Sequence, residues 1–367
     1  MDSVDRSFQE EQSSHGAHEL ASGLLAEAQA DIHPTLRAAI ERLPSTFCRI
    51  AGYHFGWWDG DGVSDGSANA GGKSLRPALV LASARAMKTI AAKRRASPIT
   101  KPAVTAAVAV ELVHNFSILH DDVMDGDLVR RHRPTAWAKF GTGNAILTGD
   151  LLLSLAHDLL AESLLDSAQD LQAARILSNT VLRMCEGQAA DLALQETGEA
   201  TVEEALHMIS GKTAALFACA CQLGAIAGGA NAEQAEVFRA FGHNLGMAFQ
   251  LVDDLLGIWG DPSFTGKPVG KDLLSRKMSV PVVVALNSDT IGAEQLRGIY
   301  SEQVAIGNAD VKAVTRLIEA TGARTLVAAQ AEQHYHQAAR HLRYVDPDNT
   351  ASTELQLLAR LVTERQK

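Results

Sequence analysis

The chain has 367 residues, 46% of them hydrophobic, and a formal net charge of −10 at pH 7. Such a chain can bury a large core, and we expect one domain. The acidic balance argues against a nucleic-acid partner, because binding to a phosphate backbone requires a broad basic surface. The four cysteines have neither CxxC spacing nor a paired His/Cys cluster, which indicates neither a zinc site nor a disulfide framework and is typical of a reducing compartment.

The amino-terminal segment has little apolar surface to bury, and we expect residues 1–17 to be disordered and residues 18–367 to form the folded domain. It lacks the basic and apolar regions of a signal peptide. No uninterrupted apolar run approaches the roughly 20 residues that span a bilayer. The sequence therefore predicts a cytoplasmic protein without a transmembrane segment.

Apolar residues recur at intervals of three and four along most of the chain, which predicts helices. Two helices, Ala17 to Ala30 and Pro34 to about Phe55, are expected around a break at His33–Pro34. No stretch shows convincing strand alternation, so we predict an all-α fold. Further helices are predicted over residues 75–92, 102–124, 145–165, 171–194, 202–227 and 232–257, and helical patterns continue to the carboxyl terminus.

The strongest functional signal is a DDxxD motif at the end of an apolar helix. Asp121 and Asp125 are four residues apart and should project from one face. Two adjacent carboxylates resist burial unless a cation neutralises them, and ligation by one or two carboxylates suits Mg²⁺ bridged to phosphates. Guanidinium groups, whose shape matches phosphate oxygens, follow at Arg130, Arg131 and Arg133.

A lone DDxxD more often marks a solvated helix face, but two further signals accompany this one. Asp253 and Asp254 interrupt a second apolar segment, and GGKSLRP supplies Lys73 and Arg76 at a helix start, where backbone N–H groups favour an anion. Together they predict a metal-dependent diphosphate site. Six motifs occur in order over about residues 71–277: GGKSLRP, HNFSILHDDVMDGDLVRRHRPT, GDLLLSLA, EGQAADL, GKTAAL and FQLVDDLLGIWGDPSFTGKPVGKDLLSRK.

With these motifs the chain resembles the all-trans (E) isoprenyl diphosphate synthases, or polyprenyl synthetases, of the actinobacterial geranylgeranyl type. The resemblance implies one domain of long antiparallel helices around a central cavity (the isoprenoid synthase fold) and a homodimer. It also implies Mg²⁺-dependent condensation of isopentenyl diphosphate with an allylic diphosphate (dimethylallyl, geranyl or farnesyl), with three Mg²⁺ ions per active site.

The resemblance also implies a role for each matching residue. The metal ligands would be Asp121, Asp125 and Asp253, with Asp254 oriented toward a metal-bound water and Asp122 secondary. The allylic diphosphate would contact Arg130, Lys212 and Lys267, with Lys277 as a further candidate, and Thr213 and Gln250 would lie near the nascent carbocation. The diphosphate of isopentenyl diphosphate would contact Lys73, Arg76, His114 and Arg131.

Helix geometry predicts which residues limit product length. Ser117 and Val113 lie one and two turns before Asp121, each turn rising ~5.4 Å, and line the path of the hydrocarbon tail. Ser117 is small and lets the tail pass, whereas Phe116, about 100° around the helix, closes the path from the side. In the resembling family this combination goes with a C20 product, which predicts geranylgeranyl diphosphate.

The second acidic motif departs from the family pattern, because Gly257 stands where a third aspartate is expected. Asp261 is a possible substitute, although Gly260 and Pro262 indicate that the helix ends nearby. Other readings are a farnesyl or longer-chain synthase, a class I terpene cyclase and a non-catalytic synthase subunit. A cyclase has one diphosphate substrate and needs no second anion site, and a non-catalytic subunit would be expected to have lost motif residues.

Overall fold

The computed structural model describes the backbone of residues 2–61, 74–92, 99–163, 168–261, 270–301, 306–307, 309–348 and 351–363. Over these residues the chain is almost entirely helical, which confirms the predicted fold class. The helices up to residue 197 are α1 Asp2–Glu41, α2 Ser45–His54, α3 Leu75–Ala92, α4 Lys101–Met124, α5 Ala136–Phe140, α6 Thr142–Ser163 and α7 Ala168–Thr197.

The remaining helices include one π-helical turn, Ser210–Ala214, which joins α8 to α9. Between α4 and α5, the short strands β1 Val129–Arg130 and β2 Arg133–Pro134 pair antiparallel, a hairpin that the sequence pattern did not predict. The later helices are α8 Val202–Ile209, α9 Ala215–Ala227, α10 Ala232–Trp259, α11 Lys271–Leu274, α12 Val280–Leu286, α13 Ile291–Ser301, α14 Val311–Ala320, α15 Ala323–Val345 and α16 Thr353–Thr363.

The break predicted at His33–Pro34 is wrong, because α1 continues through Pro34. Proline removes one helical hydrogen bond, but burial of one apolar face on both sides of it offsets this cost. That face carries Ala28, Ile32, Leu36 and Ile40, each at most 5% exposed. The helix also begins at Asp2. The disorder expected of residues 1–17 from their composition stays a prediction.

The chain divides into two compact units, a division that the sequence did not predict. Unit 1 comprises Met1–Asn179, Cys219–Phe238 and Val345–Leu358, and within it α4 packs against α6, α3 and α1. Unit 2 comprises Thr180–Ala218, Arg239–Tyr344 and Ala359–Lys367. It has a hydrophobic core of its own, to which α10, α12, α13 and α14 contribute.

Two helical stretches of the described chain, Lys101–Met124 and Val202–Ala227, are long and apolar enough to cross a membrane by length and composition alone. In each of them 72% of the apolar window is buried inside the protein. Core helices of a large protein satisfy the same criteria, so this observation is weak evidence for a membrane span.

Candidate active site

The first acidic motif lies at the carboxyl end of α4, in unit 1. Asp125 is the C-cap residue, with helical backbone angles (φ −83°, ψ −9°), and its N–H donates to the carbonyl oxygen of Asp121 at 2.8 Å. The two carboxylates are therefore one helical turn apart, as the spacing predicts, and both side chains reach solvent. A helix carboxyl end carries partial negative charge, which adds to the preference of these carboxylates for a cation.

Asp122, between the two predicted ligands, is buried and holds Arg130. The Nε of Arg130 donates to Asp122 Oδ1 at 2.5 Å, and its Nη2 lies 3.5 Å from Asp127 Oδ2. Burial raises the pKa of Asp122, and the guanidinium of Arg130 counteracts this effect. The contact fits the secondary role predicted for Asp122, which orients a cationic side chain.

The hairpin turn after the motif has an unusual backbone. Arg131 and His132 have left-handed φ angles of 52° and 62°, which are uncommon for residues other than glycine and concentrate at functional sites. The Nη2 of Arg133 donates to the carbonyl oxygen of Trp58 at 2.9 Å, and its guanidinium carbon lies 4.4 Å from the centroid of the Tyr53 ring. Arg133 is thus held by protein groups. Arg131 and His132 form the turn between the two strands of the hairpin.

Two predicted substrate ligands, Arg76 on α3 and His114 on α4, contact each other. The Nη1 of Arg76 donates to His114 Nε2 at 3.0 Å, and the hydrogen of the neutral imidazole must then lie on Nδ1, since arginine cannot accept. Burial, Arg76 and Arg131 hold the pKa of His114 well below its ordinary value. An uncharged donor therefore lies beside a permanent cation, a suitable combination for a phosphate group.

A chain of polar side chains, buried at Glu111 and Asn115, lies next to this pair and was not predicted. His54 Nε2 lies 3.1 Å from Asn115 Oδ1, and the Asn115 amide donates to Glu111 Oε1 at 3.0 Å. Burial raises the pKa of Glu111, although Asn115, Arg76 and Arg131 lower it. Glu111 is a counter-charge for the arginines. Its position four residues before Asn115 in an otherwise apolar helix was the signal available in the sequence.

The state of His54 leads to a prediction about acid stability. Burial, followed by Arg131 and Arg130, lowers the pKa of His54 to about 3 from 6.5. Below about pH 6.5 the unfolded chain binds a proton at this residue and the folded protein does not, so the free energy of unfolding should fall as the pH decreases, by up to about 1.4 kcal/mol per pH unit. The variant His54→Gln has no imidazole at this position and loses this contribution. The free energy of unfolding of the variant should therefore change less with pH in urea titrations between about pH 7 and 4.

His336→Gln is the matched control, because the His336 side chain is 62% exposed. It should keep the pH dependence of the wild-type protein. A His54→Gln variant with the wild-type slope would contradict the prediction.

In unit 2, Lys212 and Thr213 lie in the π-helical turn, a rare conformation that is frequent at functional sites. Two glycines let the backbone of α7 touch this turn. A Cβ on Gly187 would lie 2.2 Å from the Lys212 nitrogen, and a Cβ on Gly211 would lie 2.7 Å from the Arg183 carbonyl oxygen. This close approach explains why the motifs EGQAADL and GKTAAL both contain glycine.

Asp191, at the end of EGQAADL, is the partner of Lys212 and was not predicted. The Lys212 Nζ donates to Asp191 Oδ2 at 2.5 Å, and Gln195 Nε2 donates to Oδ1 at 3.1 Å. Asp191 is 1% exposed. Although burial opposes ionisation, Lys212 and Lys277 lower the pKa of Asp191 below its ordinary value. The ionised carboxylate therefore fixes the position of the Lys212 ammonium group.

The two residues predicted to lie near the carbocation are hydrogen-bonded to each other. Thr213 Oγ1 donates to Gln250 Oε1 at 2.7 Å, and Gln250 Nε2 donates to Asp254 Oδ1 at 2.8 Å. The Val280 N–H donates to Asp254 Oδ2 at 3.0 Å. Burial raises the pKa of Asp254 to about 6. Both Asp254 oxygens are used inside the protein, which fits an orienting role better than direct metal ligation.

Lys277 is surrounded by carboxylates. Burial lowers its pKa, but Asp272, Asp254, Asp191 and Asp253 together raise it above the ordinary value of lysine. An ammonium group in this position is first a counter-ion for the acidic residues. This makes Lys277 a weaker candidate for contact with substrate than Lys212.

The space beside Gly257 is filled by a carboxylate from α11. A Cβ on Gly257 would lie 2.1 Å from Asp272 Oδ2, so an aspartate here would displace the Asp272 side chain. Asp261 lies beyond the end of α10 at Trp259. The structure thus places Asp272 where the third aspartate of the motif is missing, and Asp272 lies 15 residues after Gly257, beyond the reach of helical spacing.

The residues predicted to limit product length lie together on α4. Val113 is fully buried, Phe116 is 8% exposed, and Ser117 is partly exposed. The Ser117 hydroxyl donates to the His114 carbonyl oxygen at 2.8 Å, so its polar hydrogen is satisfied within the helix. Their effect on product length stays a prediction.

Two predicted phosphate ligands, Lys73 and Lys267, lie outside the described residues. Within the described ranges, no group of three or more His, Cys, Asp and Glu side chains could hold a metal ion by itself. The pair of carboxylates at Asp121 and Asp125 nevertheless suits Mg²⁺ as ligands. This ion usually takes one or two protein carboxylates and completes its octahedron with water and substrate phosphates.

The helical architecture and its likeness to a solved polyprenyl synthetase show the all-α isoprenoid synthase fold. The chain belongs to the polyprenyl synthetase family, whose model matches residues 61–318, and it is therefore a prenyl-transferring enzyme. It is 42% identical over 348 residues to a geranylgeranyl diphosphate synthase of Mycobacterium tuberculosis, with 95% of each chain covered. It is 40% identical to a (2E,6E)-farnesyl diphosphate synthase of Mycobacterium bovis, with 94% of this chain and 93% of the relative covered.

Two solved structures are similar as well. A polyprenyl synthetase from Streptomyces coelicolor A3(2) has a TM-score of 0.86 and 40% identity, covering 93% of this chain and 99% of that chain. A geranylgeranyl pyrophosphate synthase from Corynebacterium glutamicum, complexed with isoprenyl diphosphate and magnesium, has a TM-score of 0.74 and 27% identity, covering 95% of this chain and 98% of that chain.

Proposed function

We propose that the protein is a Mg²⁺-dependent synthase that condenses isopentenyl diphosphate with an allylic diphosphate and releases mainly geranylgeranyl diphosphate. The observation that carries this proposal is that each unit contains a cationic arrangement of its own. Arg76, His114 and Arg131 form one in unit 1, and Lys212 held by Asp191 forms the other in unit 2. A reaction between two diphosphates requires two anion sites, whereas a terpene cyclase requires one.

The reaction starts with cleavage of the allylic C–O bond, in which diphosphate leaves with the electron pair and an allylic carbocation remains. The double bond of isopentenyl diphosphate then forms the new C–C bond, and loss of a proton to the released diphosphate gives a product longer by five carbons. Bound Mg²⁺ would neutralise charge that develops on the leaving diphosphate. Asp121, Asp125 and Asp253 are the proposed ligands, and three ions per active site are proposed from the family resemblance.

The cationic and polar residues have different tasks in this scheme. Arg130, oriented by Asp122, and Lys212, oriented by Asp191, bind the allylic diphosphate. Arg76 and His114 bind isopentenyl diphosphate, which keeps its diphosphate throughout. The Thr213 hydroxyl donates to Gln250, so its lone pairs remain available to stabilise positive charge without a strong nucleophile nearby. We also propose a soluble cytoplasmic homodimer.

The decisive experiment incubates purified protein with Mg²⁺, radiolabelled isopentenyl diphosphate and, separately, dimethylallyl, geranyl and farnesyl diphosphate. Sizing the dephosphorylated products should give C20 alcohol from each allylic partner. Hydrocarbon formed without isopentenyl diphosphate would indicate a cyclase. No consumption of either substrate would indicate a non-catalytic subunit, and a main product of C15 or above C20 would refute the assigned product.

Substitutions on α4 should change product length in opposite directions. Ser117→Phe places a large ring on the path of the tail and should shorten the main product to C15 or less. Phe116→Ala removes the side wall and should extend it beyond C20. Sizing of the products checks both. If Phe116 only packs in the core, Phe116→Ala should lower the free energy of unfolding by ~3–5 kcal/mol and leave the product distribution unchanged.

A further inference from the structure

Gly149 opens the GDLLLSLA stretch of α6, to which the proposed function assigns no task. Glycine inside a helix is less favourable than alanine, so its presence requires a local reason. That reason is His120 on α4, in the same unit. A Cβ on Gly149 would lie 2.3 Å from His120 Nε2 and 2.5 Å from His120 Cδ2. Because Gly149 has no side chain, α6 leaves a recess here that holds the imidazole of His120.

Further contacts fix the orientation of this ring. His120 Nε2 lies 2.9 Å from the carbonyl oxygen of Ile146, and it must donate, because a carbonyl only accepts. The same nitrogen lies 3.7 Å from Asp150 Oδ1, which favours the same tautomer. The imidazole meets the Phe116 ring edge to face, with centroids 4.8 Å apart and an interplanar angle of 68°. This is a favourable geometry for an aromatic pair.

We propose that His120 is a positioning residue for product length. Seated against Gly149 and bonded to Ile146, it keeps the Phe116 ring from turning away from the growing hydrocarbon tail. A Phe116 ring without this support can move aside and admit another five-carbon unit. The inference rests on the proposed function, because it takes Phe116 as the side chain that closes the path of the tail.

The test compares product distributions of variants on the two facing helices. His120→Ala removes the imidazole, and Gly149→Ala displaces it. Each should raise the ratio of C25 to C20 product about two- to tenfold, the factor that corresponds to one aromatic pair. This ratio does not depend on how much enzyme is folded, so a merely structural role would leave it unchanged. Gly143→Ala, also in α6, is the control, because a Cβ there meets nothing within 4 Å.

The double variant His120→Ala/Gly149→Ala separates a shared mechanism from two independent ones. The added Cβ enters the space that the imidazole has left, so the ratio should be no higher than in either single variant. If His120→Ala does not fold, His120→Gln keeps a donor for Ile146 without the aromatic ring and should raise the ratio as well. Unchanged ratios in the single variants, or additive changes in the double variant, would overturn the role of His120. Absence of prenyl product from the wild-type protein would instead overturn the proposed function.

Discussion

Asp121→Asn and Asp125→Asn should each lower kcat by about 10²–10³-fold, the range seen when one preorganised group that stabilises transition-state charge is removed. The amide keeps the size of the side chain but removes one negative charge from the carboxyl end of α4. The cation would then be held by less negative charge, because the partial charge of the helix end is the only other negative charge that the helix backbone supplies. Asp253→Asn should act in the same direction. Steady-state kinetics at saturating substrate, over a range of Mg²⁺ concentrations, measure the effect.

Metal binding can be followed without turnover by thermal unfolding with Mg²⁺ and inorganic diphosphate. The stabilisation that Mg²⁺ and diphosphate give the wild-type protein should be reduced in each variant, since a ligand that binds only the folded state raises its stability. Asp348→Asn is the control, because Asp348 is an exposed aspartate of unit 1. Undiminished kcat in any of the three variants would remove that aspartate from the proposed set.

Helix positions could be read from the sequence because apolar spacing is local information. The prediction for α3, residues 75–92, matches the observed Leu75–Ala92, and α4 differs from its prediction by one residue. The exception is the amino-terminal pair of helices, where the burial of a face on both sides of Pro34 overrides the local signal of proline. The break between α1 and α2 lies instead at residues 42–44, inside the predicted helix from Pro34 to about Phe55. The two units are built from discontinuous segments, so local patterns along the chain do not reveal them.

The site residues that were predicted are those indicated by a motif spacing or by the family pattern. Their partners could be identified only from the folded structure. Asp191 lies 21 residues before Lys212 and was overlooked, although the motif that contains it was identified. Asp272 fills the space beside Gly257 from another helix, while helical periodicity pointed only to Asp261. Spacing rules identify groups that share one helix face. They cannot identify a counter-charge on a different helix, which comes close only because two glycines allow the two backbones to touch.

Arg76→Ala and Lys212→Ala should affect the two substrates in opposite ways. Arg76 contacts a diphosphate that never leaves, so its removal should raise the KM for isopentenyl diphosphate and change kcat little. Lys212 meets charge that develops as the allylic bond breaks, so its removal should lower kcat by about 10²–10³-fold. Initial rates with each substrate varied in turn measure both effects, and Arg324→Ala, at an exposed arginine, is the control. Equal effects of both substitutions on both substrates would refute this partition of the sites.

The pairing of Lys212 with Asp191 allows folding and chemistry to be separated. Lys212→Ala leaves a carboxylate that is 1% exposed without its partner, which should also lower the free energy of unfolding by about 3–5 kcal/mol. In Lys212→Ala/Asp191→Asn the unpaired buried charge is gone, so stability should return toward the wild-type value. The rate should remain low, because the ammonium group that meets the departing diphosphate is still missing. Recovery of kcat together with stability would mean that Lys212 only neutralises Asp191, and Lys212 would then be removed from the proposed ligands of the allylic diphosphate.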